Sequence, residues 1–150
     1  MTEKSTEEMN SLLEKTSPDK IGDFYDENKN SMVDPNKEFY YYMRKILDEK
    51  GKKLKDVYSF AGFSESYGSQ ILRMEKHTPN RDVIIRLCIA GHFNVNETNK
   101  ALKLYGCNEL YSKDKRDACL IIALHNRKYD MADVDDMLAG QGLKILSKDE

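Results

Sequence analysis

Ser66, Ser69, Gln70 and Arg73 fall at helical spacing within ESYGSQILRM, interleaved with Tyr67, Ile71 and Met74. A helix over residues 65–74 turns the first set outward and the second inward. Short hydroxyls, one amide and one guanidinium are the groups that match base-edge donors and acceptors in the major groove and the oxygens of phosphate. The chemistry available to this segment is therefore hydrogen-bonded recognition, not bond making or breaking.

Such a face needs a turn to present it. Leu54, Val57, Tyr58 and Ala61 mark a preceding short helix, Gly62 breaks it, Phe63 anchors the turn and Ser64 caps the next helix. A tight turn calls for a residue tolerant of positive φ, which Gly62 provides, and for an oxygen that accepts from the free N–H groups of the next helix, which Ser64 provides.

Charge is unevenly distributed along the 150 residues. Residues 1–38 hold five Lys and Arg against ten Asp and Glu, residues 39–81 nine against five, and residues 82–150 ten against eleven. The one basic block coincides with the proposed recognition unit, as neutralisation of phosphates requires. Its excess of four is small, so a single copy is expected to bind weakly and with strong salt dependence, which favours a homodimer on paired half-sites or help from a partner.

Catalytic constellations are missing from the pattern. There is no Gly-rich phosphate loop, His77, His92 and His125 are scattered, and Asp133, Asp135 and Asp136 read as a solvated helix start. No enzyme activity and no cofactor are expected. Cys88 and His92 have the i, i+4 spacing of two ligands on one helix face, but no further donor completes a metal pattern, and core packing is the default. Cys88, Cys107 and Cys119 are expected as reduced thiols in or near the core. The start of the chain lacks the apolar run of a secretion signal and no stretch reaches bilayer length, so a cytoplasmic protein without membrane contact is expected.

The remaining elements all read as helices. Ser5 with Glu8 forms a capping-box pair ahead of Met9, Leu12 and Leu13, and Ser17-Pro18 starts a second short helix carrying Ile21, Phe24 and Tyr25. These belong to an acidic arm, residues 1–33, with the polar run DENKNS as its expected hinge. Asp34 and Pro35 open a firmer helix with Phe39, Met43, Ile46 and Leu47 inward, closed by Gly51. Asn80 caps a nearly all-apolar helix from Arg81-Asp82 onward; Asn96 is read as the cap of the next, with Thr98, Ala101, Leu102 and Tyr105 inward and Gly106 at its end. The pattern then recurs after about thirty-five residues: Arg116-Asp117 open a second apolar helix, and Asp130 caps one with Val134, Met137, Leu138 and Gln141 inward, ending at Gly142. Two stacked helical hairpins are expected, neither able to bury its apolar helix alone.

The segment around residues 39–95 resembles the lambda-repressor and Cro-like, or Xre-type, helix-turn-helix family. The words YGSQILRMEKHTPNRD, NVNETNKALKLYG, LYSKDKRDA and MADVDDMLAGQGLKIL further resemble a bacterial Xre-type group with a C-terminal helical extension. The resemblance implies an all-α fold, a lambda-repressor-like bundle over residues 34–111 extended by a duplicated helical hairpin over 112–150, and sequence-specific binding of double-stranded DNA in transcription control. By position it implies that Ser64, Ser66, Tyr67, Ser69, Gln70 and Arg73 form or border the base-reading surface, with Lys53, Lys55 and Lys76 nearer the phosphates. The chain departs from the family pattern at Gly68, where an aliphatic residue is usual and Tyr58 is expected to fill the space, and at Leu72, where Glu usually ends the helix. The competing expectation is a protein-interaction adaptor of the same fold, which holds a partner enzyme or toxin through the C-terminal hairpin or the acidic arm without tight DNA binding.

Overall fold

The computed structural model describes residues 4–32 and 37–147. Among them regular structure is helical throughout, which makes the fold all-α. None of these helices is long and apolar enough to cross a membrane. The chain divides into two units at Pro35, and Asp34 and Pro35 themselves, read as a helix opening, lie outside the described residues.

In the first unit, α1 (Thr6–Lys15) starts at Ser5, whose hydroxyl accepts from the Glu8 N–H, and α2 (Ile21–Glu27) follows a single 3-10 turn begun by Pro18. The DENKNS run, expected as the arm's hinge, ends α2 and forms a 3-10 turn. Asp26 and Glu27 complete α2, and Asn28 is buried, donating from Nδ2 to the Phe24 carbonyl at 2.9 Å and accepting from Lys4 Nζ. The Lys4 N–H meets Ser31 Oγ at 2.9 Å. Polar side chains that bond the backbone this way organise a short segment with few apolar residues, of which Phe24 alone among the described residues is buried.

The second unit begins with α3 (Glu38–Glu49), whose buried face is Phe39, Met43, Ile46 and Leu47 as the spacing requires; Gly51 follows in the left-handed region at φ 67°. Two short helices, α4 (Leu54–Phe60) and α5 (Glu65–Leu72), come next. The remainder is two hairpins, α6 (Arg81–Ala90) with α7 (Val95–Tyr105), and α8 (Lys115–His125) with α9 (Met131–Gly140). Every residue of α6 from Asp82 to Ala90 is buried, and this helix touches α4, α7 and α9. It is the axis of the core.

The duplication is visible atom by atom. Asn80 caps α6 and Asp114 caps α8; Asn94 caps α7 and Asp130 caps α9. His92 and Arg127 both take positive φ after the first helix of each hairpin, and Gly106 and Gly142 do so after the second. Asn99 accepts from the Leu110 N–H and Asp135 from the Leu146 N–H, both at 2.8 Å. The cap of α7 is Asn94 and not Asn96. Asn94 lies three residues before Glu97, and the two exchange side-chain and backbone bonds in a complete capping box.

The two hairpins are not stacked in a row. Arg81 of the first forms a two-pronged pair with Asp117 of the second at 2.8 and 3.0 Å, and Arg116 of the second forms the same pair with Asp82 of the first at 2.8 Å. Each guanidinium also takes two backbone carbonyls beyond the facing helix end, Asn108 and Glu109 for Arg81, Lys144 and Ile145 for Arg116. Reciprocal exchange of this kind is the mark of a local two-fold relation, since a simple translation would pair each Arg in one direction only. The α6–α9 and α7–α8 contacts are reciprocal in the same sense. Planar guanidinium–carboxylate forks fix orientation as well as distance.

Burial pushes the Asp117 carboxyl up, but Arg81, the Tyr111 N–H and Arg116 outweigh it and hold the group below the ordinary carboxylate value. A depressed folded-state pKa stabilises the fold above the unfolded pKa, about 4, and that contribution is lost as pH falls through the lower folded value. Asp117→Asn should therefore cost stability at neutral pH, on the order of 1–3 kcal/mol, and flatten the loss on acidification, as read by urea unfolding from pH 7 to pH 3. Equal pH dependence in the variant and the parent would show that this pair carries none of it.

Candidate nucleic-acid interface

Helices α4 and α5 are joined by Ala61, Gly62, Phe63 and Ser64. Val57, Tyr58 and Ala61 bury the inner side of α4, and Lys53 at its start supplies no side-chain cap. Gly62 lies at φ 84°, and a Cβ there would approach Arg86 Nη2 to 2.8 Å, so both backbone conformation and space demand glycine. The Phe63 N–H returns to the Tyr58 carbonyl at 2.9 Å, and Ser64 Oγ accepts from the Tyr67 N–H at 3.1 Å to start α5.

Arg86 is the residue that the sequence reading passed over. It sits within the buried run of α6, where its Nε donates to the Ala61 carbonyl at 2.9 Å and Nη2 reaches the Gly62 carbonyl at 3.5 Å. Its guanidinium also lies 4.1 Å from the Phe63 ring centroid. The Phe63 and Tyr67 rings meet at 5.3 Å, and Lys76 Nζ stands 5.4 Å from the Tyr67 ring on the outer side. Two aromatic rings are thus bracketed by two cations, which joins α6, the turn, α5 and the following loop. The signal was present as a lone Arg in VIIRLCIA, a helix with no polar face, because a buried charge demands partners.

Helix α5 ends at Leu72, two residues before the expected Met74, which takes φ 63°. The chain reverses there, with the Glu75 and Lys76 N–H groups both donating to the Gln70 carbonyl. His77 then stacks on Tyr105 at 4.7 Å and the Thr78 N–H donates to the Tyr105 hydroxyl at 2.9 Å, which ties the loop to α7. Leu72 is fully buried.

Of the residues expected to read bases, Ser64, Ser66, Gln70 and Arg73 are exposed, with Ser64 engaged as the cap, and Tyr67 is half-buried in the aromatic pair. Ser69 does not simply face outward. It is half-buried, and burial pushes the Tyr58 phenol up while the neighbouring Ser69 and Arg73 pull it down. Lys53, Lys55 and Lys76 are exposed. Among the described residues none of Lys53, Lys55, Arg73 and Lys76 forms an ion pair with a carboxylate, although Glu65 and Glu75 are exposed nearby in sequence. The arrangement is a short helix with a polar outer face, one exposed guanidinium and neighbouring cations.

Outside this unit, Cys88 and His92 are not a ligand pair. Helix α6 ends at Ala90; Cys88 is fully buried, with burial pushing its thiol up, while His92 is exposed and stacked on Tyr129 at 4.3 Å. Among the described residues no three His, Cys, Asp or Glu gather as a metal site. Cys107 and Cys119 are half-buried free thiols.

Gly68 tests how tightly α5 is seated. A Cβ there would lie 2.5 Å from Tyr58 Cδ1, because the Tyr58 ring occupies the space an aliphatic side chain would fill. Gly→Ala in a helix ordinarily stabilises by about 1 kcal/mol. Here Gly68→Ala should destabilise by roughly 1–3 kcal/mol, and adding Tyr58→Leu should recover part of the loss in a thermal-unfolding double-mutant cycle. A stabilised Gly68→Ala single variant would contradict the packing described.

No family model matches the chain, and no similar curated protein or solved structure is found.

Proposed function

We propose that this chain is a sequence-specific DNA-binding transcriptional regulator of the lambda-repressor-like type, with α5 entering the major groove. The observation that carries this reading is the exposed Ser66, Gln70 and Arg73 face on a helix whose entry is capped by Ser64 and whose turn is clamped by Arg86. A reading helix must be held firmly while its outer face stays unpartnered, since base-edge hydrogen bonds discriminate only when the donors are already placed. Lys53, Lys55 and Lys76 supply phosphate contacts that orient the unit without reading sequence.

The modest basic excess of residues 39–81 limits the affinity of one copy, so tight binding requires two readers on paired half-sites. A second reading, a module that adjusts a partner enzyme or toxin through the same fold, is favoured by Glu65 and Glu75, exposed at the start of α5 and just beyond its end. The two readings part on salt dependence and on sequence selection.

Selection from a random duplex library with the full chain should enrich one motif. Gln70→Ala with Arg73→Ala should weaken binding to that motif by about 1–3 kcal/mol per lost base contact and leave the helical circular dichroism unchanged. Lys53→Ala and Lys55→Ala should each lower affinity for all sequences alike and reduce the salt slope by about 1. Failure to enrich any motif, or an enriched motif bound equally by the double variant, would overturn the reading.

A further inference from the structure

The internal two-fold relation assigns an occupant class to a groove that is open in the second hairpin and filled in the first. The groove between α8 and α9 has a volume of about 610 Å³ and is lined by Ala118, Cys119, Ile122, Met137, Gln141 and Leu143, with Lys115 at the start of α8. By the repeat, Ala118, Cys119 and Ile122 stand where Val83, Ile84 and Leu87 stand in α6, and Met137 and Gln141 stand where Ala101 and Tyr105 stand in α7. All five counterparts are buried, Leu87 completely, whereas Ile122 is 54% exposed.

In the first hairpin α3 covers the α7 side of the groove, and α4 packs on α6. Phe39 meets Tyr105 edge to face at 4.8 Å, Lys50 pairs with Glu97 at 3.0 Å, and Tyr42 lies beneath Lys100 Nζ at 5.1 Å. The same rim of the second hairpin carries Asp133 at the place of Glu97 and Asp136 at the place of Lys100, both exposed. A helix lying there as α3 does would therefore face two carboxylates in place of one carboxylate and one ammonium. The acidic N-terminal arm of this chain has the wrong sign for that rim.

We propose that the α8–α9 groove docks a basic amphipathic helix of another protein, with an aromatic residue near Gln141 and Lys or Arg residues opposite Asp133 and Asp136. An apolar groove takes such a helix through anchors at i, i+4, i+7 and i+8, the spacing that α3 uses on the first hairpin. The proposal is independent of DNA reading, because the groove belongs to the duplicate and shares no residue with the α4–α5 unit.

The probe is a labelled synthetic peptide of residues 37–50 carrying Tyr42→Lys, which sets cations opposite both carboxylates if it lies as α3 does. Titrated with the full chain and followed by fluorescence anisotropy, it should bind. Ile122→Asp should weaken that binding about tenfold or more, as expected for loss of a buried aliphatic anchor. Asp133→Lys with Asp136→Lys should weaken it without touching the apolar floor, so the test survives if Ile122→Asp disturbs the fold. A peptide variant with Phe39→Ala should also bind less well. Absence of binding up to about millimolar concentration, or binding indifferent to both protein variants, would overturn the proposal. So would a self-associated chain that Ile122→Asp converts to monomer in sedimentation, since a second copy would then own the groove.

Discussion

A guanidinium buried in the central helix is the constraint around which this molecule is arranged. Arg86 cannot sit inside α6 without acceptors, and its acceptors are the carbonyls of Ala61 and Gly62 at the turn between α4 and α5. The turn offers those carbonyls inward only because Gly62 accepts a positive φ and has no side chain in the way of the guanidinium. Desolvation of a charge is costly enough that the two parts must form together. The outward face of α5 is thereby held by the core and not by its own short helix, which at eight residues would be marginal in isolation.

The same helix carries the second organising contact at its start. Arg81 and Asp82 exchange partners with Arg116 and Asp117, so the duplicated hairpin is fixed against the first by two equivalent forks and not by apolar packing alone. Duplication has left the copies unequal in surroundings. One hairpin is covered by α3 and α4, and its inward residues are Ile84, Leu87 and Tyr105; the other faces outward with Cys119, Ile122 and Gln141 at those positions.

Much of this was legible from periodicity. The inward sets of α3 and α7 follow directly from the 3.6-residue spacing, and all of Phe39, Met43, Thr98, Ala101 and Tyr105 are buried. The turn chemistry of Gly62 and Ser64 and the filling of Gly68 by Tyr58 were also readable, because each answers a local demand of backbone or volume. Competing local signals decided the misses. Asn94 and Asn96 are both good caps and only the reach of Glu97 chooses between them, while the end of α5 depends on Met74 adopting a left-handed conformation that its residue type does not announce. Non-local pairings left least trace: RD recurs in the sequence, but that Arg81 bonds Asp117 and not its neighbour's carboxylate is a fact of the two-fold geometry.

The central claim is that a clamped turn presents α5 as the surface where nucleic acid is read. Hydrogen–deuterium exchange of the full chain, alone and with a saturating duplex carrying its selected motif, tests it most directly. The account predicts that protection gained on binding is concentrated in residues 53–76, with α8 and α9 unchanged. Protection confined to α8 and α9 or to the N-terminal unit, with residues 64–73 exchanging as before, would contradict it.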